Sequence, residues 1–403
     1  MLSGVVGFAR ETLTDWRVSW RMATLVFAAE IALLWAIIHF VSYTEIDWKA
    51  YMDEVEGFLN GTHDYTQLKG DTGPLVYPAG FVYIFAGLYH VTGQGADILL
   101  AQYIFAGVYL AFLALVMYLY IATKQPPYLL AVIALTAFRV HSIFVLRLFN
   151  DPVAMLFFYA ACALFVKYKW TAGCVLFSLA VSIKMNVLLF APGLLLLLLL
   201  HCGFAGAFWR IALCGLIQCV ALAVPFLLEN PIGYIVRSFN LGRQFMYVWT
   251  VNWRFLPEET FLDRRFHAGL LLLHIALLSA LAYKWSRSVV LSARHILAHE
   301  VVAVVVACIL LTLFASNLVG MAVARSLHYQ FYIWYYHSIA WLLWNSKLPF
   351  LLRSCAVLVG IEFAWNTYPS TDISSAVLHV CHFIMIIAVF TATTPTPHKI
   401  KSA

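Results

Sequence analysis

Residues 78–91 read PAGFVYIFAGLYHV, and whether this run crosses a membrane fixes the orientation of everything after it. It is short for a span, which needs about 20 apolar residues, and Pro74 and Pro78 precede it. Charge decides the matter. If the run does not cross, Lys124, Lys167, Lys169, Arg210, Lys284, Arg287, Arg294, Lys347 and Arg353 all fall on the cytosolic side. The acidic segment holding Glu45, Asp47, Asp53, Glu54, Glu56, Asp64 and Asp71 then becomes lumenal. Counting the run as a span would put most of those basic residues on the wrong face of the membrane. It is therefore read as an interfacial or half-inserted helix.

Outward from this run, apolar stretches recur from end to end. They fall at about 22–43, 97–122, 127–148, 152–167, 170–186, 187–203, 208–227, 266–284, 298–316, 328–345, 350–364 and 375–392, so about twelve spans are expected. Of the 403 residues 63% are hydrophobic and 11% charged, against about 25% charged in a soluble domain. The expected fold is all-α and polytopic, a single integral membrane domain over residues 1–403. Residues 1–21 are expected as a cytosolic leader, 44–96 as a long lumenal loop that includes the interfacial run 78–91, 228–266 as a second lumenal loop and 393–403 as a cytosolic tail. The run from Met22 to Tyr43 is too long for the apolar core of a cleaved signal peptide and reads as a retained signal anchor.

Smaller signals agree with this orientation. Lys399 and Lys401 stand near the C-terminus in the spacing of a dilysine retrieval signal, which coat proteins read on the cytosolic side. Asn60-Gly61-Thr62 is a candidate glycosylation sequon in the segment expected to be lumenal. The eight cysteines lie in apolar segments with no CxxC spacing, as buried apolar side chains and not as disulfides or metal ligands. His295, His299 and Glu300 do not follow the HExxH order of a zinc site. No dinucleotide fingerprint or Walker loop is present, and a net charge of +6 scattered between spans is no nucleic-acid signature.

Polar residues that could do chemistry gather at the lumenal ends of the spans. Glu45 and Asp47 follow the first span. Arg147, Asn150 and Asp151 join the third and fourth, and Lys184 sits near the end of the fifth. The loop Asn240 to Leu256 contains Arg243, Gln244, Trp249, Asn252, Trp253 and Arg254, and Arg325 and His328 open the tenth span. Each has a plain structural reading. Asp47 could cap the next helix with Trp48 as interface anchor, Arg147 and Asp151 could pair four residues apart, and the tryptophans could mark the headgroup level. Lys184 resists such a reading, because ionisable groups at that depth are functional by default. The convergence of all of them on one face is the stronger signal.

Five strings carry a resemblance: Tyr43–Met52, Gly70–Gly80, Arg139–Pro152, Thr250–Leu256 and Arg325–Phe331. They closely resemble the neighbour-of-tid family of GT-C glycosyltransferases, the dolichyl-phosphate-mannose:Man5GlcNAc2-PP-dolichol alpha-1,3-mannosyltransferases of N-glycan assembly. The likeness spans nearly the whole chain. It implies a GT-C fold in the endoplasmic reticulum membrane, with membrane-parallel helices in the first lumenal loop, dolichyl-phosphate-mannose as donor and Man5GlcNAc2-PP-dolichol as acceptor. The acidic residue that this class carries after its first span falls on Asp47, with Glu45 beside it, and a second falls on Asp151. Asp47 would then deprotonate the acceptor hydroxyl in a single inverting displacement that requires no divalent metal. Lys184, Arg147, Arg325 and His328 would hold the leaving phosphate, and Asn150, Asn252 and Trp253 the sugars, with Arg254 beside them. Another polyprenyl-phosphate-sugar transferase would share this pattern. A multi-pass transporter is the rival from a different class, against which stand the missing internal repeat and the one-sided polar cluster.

Overall fold

The computed structural model describes residues 2–240, 242, 246–292 and 298–392. Arg243, Gln244, His295 and the tail lysines Lys399 and Lys401 lie outside the described residues. The chain is almost wholly helical: α1 (Leu2–Thr14), α2 (Ser19–Phe40), α3 (Trp48–Leu59), α4 (Ala79–Val91), α5 (Ile98–Ala122), α6 (Tyr128–Leu135), α7 (Phe138–His141), α8 (Asp151–Phe165) and α9 (Trp170–Ile183). There follow α10 (Ala191–Leu216), α11 (Val224–Glu229), α12 (Pro231–Ser238), α13 (Glu258–Leu262), α14 (Arg264–Ser292), α15 (Ala298–Ala322), α16 (Tyr336–Trp344), α17 (Val359–Asn366) and α18 (Asp372–Thr391). It is a polytopic membrane protein.

Capping chemistry marks several boundaries. Asp97 accepts from Leu100 N at 2.9 Å where α5 starts, and Thr371 with Ser374 forms a capping box on α18. Pro152 occupies the first turn of α8, where its missing N–H costs nothing. Gly203, with φ of 68°, puts a kink inside α10.

Among the described residues six helices are long and apolar enough to cross a membrane, seven if the pair Tyr128–Leu135 and Phe138–Leu146, bent by 59°, counts as one span. This is fewer than the apolar runs suggest, and the reason is geometric. Residues 187–203 and 208–227 fuse into one helical stretch, Met185–Leu222. Residues 328–345 break into a 3-10 turn (Tyr329–Trp334) and the nine-residue α16. Helices α4, α8, α9 and the segment Ala356–Asn366 are apolar but short. Hydropathy registers the apolar content and not the breaks.

The loop after α2 folds back onto the bundle. Trp48 and Tyr51 of α3 pack against Phe85 of α4 at ring-centroid distances of 6.2 and 5.0 Å, and both are about 1% exposed. A two-residue hairpin pairs Lys69–Gly70 with Gly73–Pro74 antiparallel. Gly70 presses on the Ala50 backbone, where a Cβ would come within 2.5 Å. Gly80 of α4 meets Ser182 of α9 so closely that a methyl group there would run into the serine side chain. The first loop is thus locked onto α9, directly beside Lys184.

Candidate active site

At one end of the bundle the segments after α2, before α8, after α9 and after α15 converge around a cavity of about 1450 Å³. Its wall is amphipathic. Asp47, Glu54, Arg139, Arg147, Lys184, Arg325 and His328 supply its ionisable groups, while Val41, Phe138, Leu188, Leu271 and Val323 supply apolar surface. Phe138 is 77% exposed and Leu271 58%, so the apolar lining reaches the protein surface.

Asp47 stands at the N-cap of α3, yet its side chain makes no cap hydrogen bond. Tyr51, one turn on, donates its hydroxyl towards Asp47 Oδ2 at 3.3 Å. Burial raises the Asp47 pKa above the usual carboxylate range; the Lys184 charge and the Tyr51 hydrogen bond oppose this, while Asp151 and Glu45 reinforce it. Glu45 is placed differently. It accepts from Tyr43 Oη at 2.6 Å and from Lys49 N at 3.1 Å, is exposed, and is not among the residues lining the cavity.

Helix α9 ends at Lys184, whose backbone turns extended (φ −151°, ψ 118°) and sends the ammonium back into the protein. There it meets Asp151 Oδ2 at 2.5 Å and Asn150 Oδ1 at 2.9 Å. Asp151 Oδ1 accepts from Trp334 Nε1 at 2.6 Å, so both carboxylate oxygens are satisfied and the side chain is fully buried. The suggested Arg147–Asp151 pairing is therefore not what forms. Leu148, in the left-handed region at φ 49°, turns the chain so that Arg147 lines the cavity while Asn150 and Asp151 engage Lys184 behind it. Arg147 hydrogen-bonds Ser142. Thr44 N donates to Leu146 O at 2.9 Å, which ties the Asp47 loop to the Arg147 turn.

Asn252, Trp253 and Arg254 do not line the cavity. Asn252 Oδ1 accepts from Leu327 N at 2.9 Å, and its Nδ2 donates to Ala324 O at 2.8 Å. Trp253 Nε1 donates to the same carbonyl at 2.7 Å, and Arg254 lies over the Tyr247 ring at 4.5 Å. Asn252 and Trp253 form a clamp on the segment that presents Arg325 and His328. Asn60 is exposed at the C-cap of α3.

Sequence reasoning passed over three participants. Tyr51 is one helical turn from Asp47, a spacing that flags it in retrospect. Arg139 is a cation inside an apolar run, the same signal that singled out Lys184. Trp334 had no such signal, since only the fold brings residue 334 to residue 151. Among the described residues no group of three or more His, Cys, Asp or Glu side chains is placed to hold a metal ion.

A family model described as "ALG3 protein" matches residues 24–375. A mouse protein named Dol-P-Man:Man(5)GlcNAc(2)-PP-Dol alpha-1,3-mannosyltransferase is 52% identical over 389 residues, covering 94% of this chain and 89% of the relative. The human protein of the same name is 52% identical over 397 residues, 96% of this chain and 90% of its own length. The Arabidopsis thaliana protein of that name is 41% identical over 396 residues, 94% and 90% respectively.

Proposed function

The chain belongs to the ALG3 protein family, and from that premise we propose that it transfers mannose from dolichyl-phosphate-mannose to Man5GlcNAc2-PP-dolichol in alpha-1,3 linkage. The observation that carries the chemistry is the carboxylate of Asp47 on a cavity wall shared with Glu54 and with the cations Arg139, Arg147, Lys184 and Arg325. The donor is beta-linked and the product alpha-linked, so the anomeric centre inverts in one displacement. Asp47 takes the proton of the acceptor 3-OH as that oxygen attacks C1, and the C1–O bond to the phosphate breaks with its electrons left on the phosphate. Cations answer that charge; no acid partner is required. The satisfied hydrogen bonds of Glu45 favour Asp47 as the base.

Arg147, Arg325 and His328 are suited to the phosphate. Lys184 is held by Asp151 and Asn150, and in this reading it sets the ionisation of Asp47 as much as it meets the donor. The orientation that suits the lumenal reaction puts both termini in the cytosol and the cavity in the endoplasmic reticulum lumen, which the asymmetry of basic residues supports.

The test is reconstitution of the purified full-length chain in vesicles with radiolabelled dolichyl-phosphate-mannose and Man5GlcNAc2-PP-dolichol. A six-mannose product whose new bond yields to an alpha-1,3-specific mannosidase is expected, with or without EDTA. Labelled mannose crossing the vesicle without joining the acceptor would favour a carrier, and a different linkage would reassign the chain within its enzyme class.

A further inference from the structure

Arg139 is the arginine of the cavity wall that the scheme above leaves unused. It stands on α7, just past the break in the bent pair, with its guanidinium 4.8 Å from the centre of the Tyr329 ring. Its Nε is buried without a hydrogen-bond partner, and among the described residues no carboxylate lies within 4.0 Å of it. Arg147 lines the same cavity, so two like charges share one wall, while the carboxylate of Glu362 acts on Arg139 from beyond ion-pair distance. Two guanidinium groups facing one cavity in a low-dielectric setting, neither with a carboxylate partner among the described residues, form a site that gains stability when an anion enters.

Resting on the transferase reading, we propose that Arg139 and Arg147 together take up the second negative charge of the departing polyprenyl phosphate. The donor is a phosphodiester with one ionised oxygen. When the C1–O bond breaks, its electron pair stays on the phosphate, which becomes a monoester able to carry two charges near neutral pH. A pair of cations that repel one another is more stable around a dianion than around a monoanion. The pair therefore favours the transition state and product over the bound donor, which is the differential binding that raises kcat. The acceptor also carries phosphate, but several sugars separate its diphosphate from the reacting hydroxyl. The donor's phosphate is bonded to the reacting carbon itself, so it is the one that shares a cavity with Asp47. Arg139 also touches Tyr329, the neighbour of His328, so the site bridges the two halves of the wall.

The experiment uses the full-length enzyme in vesicles, with polyprenyl monophosphate and polyprenyl diphosphate as inhibitors. Arg139→Gln is expected to lower kcat by about 10- to 100-fold and to weaken monophosphate inhibition about 10-fold, with donor KM changed less than about 3-fold. Arg139→Lys, which keeps the charge, is expected to restore part of both. Equal changes in donor KM and monophosphate inhibition would overturn the proposal, since that is uniform binding or a structural defect. So would weakened inhibition by diphosphate alone, competitive with acceptor, because the pair would then serve the other carrier. An unchanged Arg139→Gln enzyme beside an active wild type removes only this assignment. A wild type without transfer removes the reading on which it rests.

Discussion

Asp47 and Lys184 line the same cavity, and the proposed coupling between them is measurable. Asp47→Asn is expected to lower transfer by about 10²- to 10⁴-fold without loss of protein, assayed by labelled product and immunoblot. The base works as a carboxylate, and burial raises its pKa, so activity should fall on the acid side at a pH above the usual carboxylate range. Lys184 is the largest influence lowering that pKa. Lys184→Gln is therefore expected to move the acid limb of the pH–rate profile further upward, a shift independent of how much enzyme is folded. The same change leaves Asp151 buried without its ion pair, at a cost of about 3–5 kcal/mol that should appear as a lower melting temperature. An acid limb that stays in place would separate Lys184 from the base.

Elements explain what single residues do not. The bent pair α6–α7 delivers Arg139 and Arg147 to the cavity, and a membrane-embedded contact holds it: Glu30 Oε2 of α2 meets His141 Nε2 at 2.6 Å, both side chains being 5% exposed or less. Glu30→Leu leaves His141 buried without that partner and should lower both melting temperature and kcat, whereas Glu30→Gln keeps a hydrogen bond and should retain most of both. The Asn252 clamp makes a similar case. Asn252→Ala leaves the Leu327 N–H and one of its Ala324 carbonyl contacts unmade, at about 1–3 kcal/mol, and transfer should fall as Arg325 and His328 lose their support. Here the sequence was only half readable. It placed polar groups at the right ends of the right helices, because span ends and charge are local properties. It could not tell a group lining the cavity from one behind its wall: Asn252 and Trp253 bond the Ala324–Leu327 segment, and the plain pairing of Arg147 with Asp151 gives way to the Lys184 ion pair.

For the molecule as a whole, the helical membrane class was legible from composition alone, but the number of spans was not. Apolar runs report where lipid or core is tolerated, whereas a straight crossing depends on breaks such as those at Gly203 and before α16. The short helix α4 was readable as an element from its apolar run after Pro78. If the first loop is lumenal, Asn60→Gln should remove any N-linked glycan and raise gel mobility after expression in microsomes; a cytosolic loop would leave mobility unchanged. Phe138 and Leu271, exposed apolar residues of the cavity wall, carry a consequence for kinetics if the lipid-linked substrates enter past them. Substrates that reach the catalytic chamber sideways are drawn from a sheet and not from a volume. Turnover should then follow the mole fraction of each carrier within the vesicle and stay constant, per enzyme, when the whole suspension is diluted with buffer.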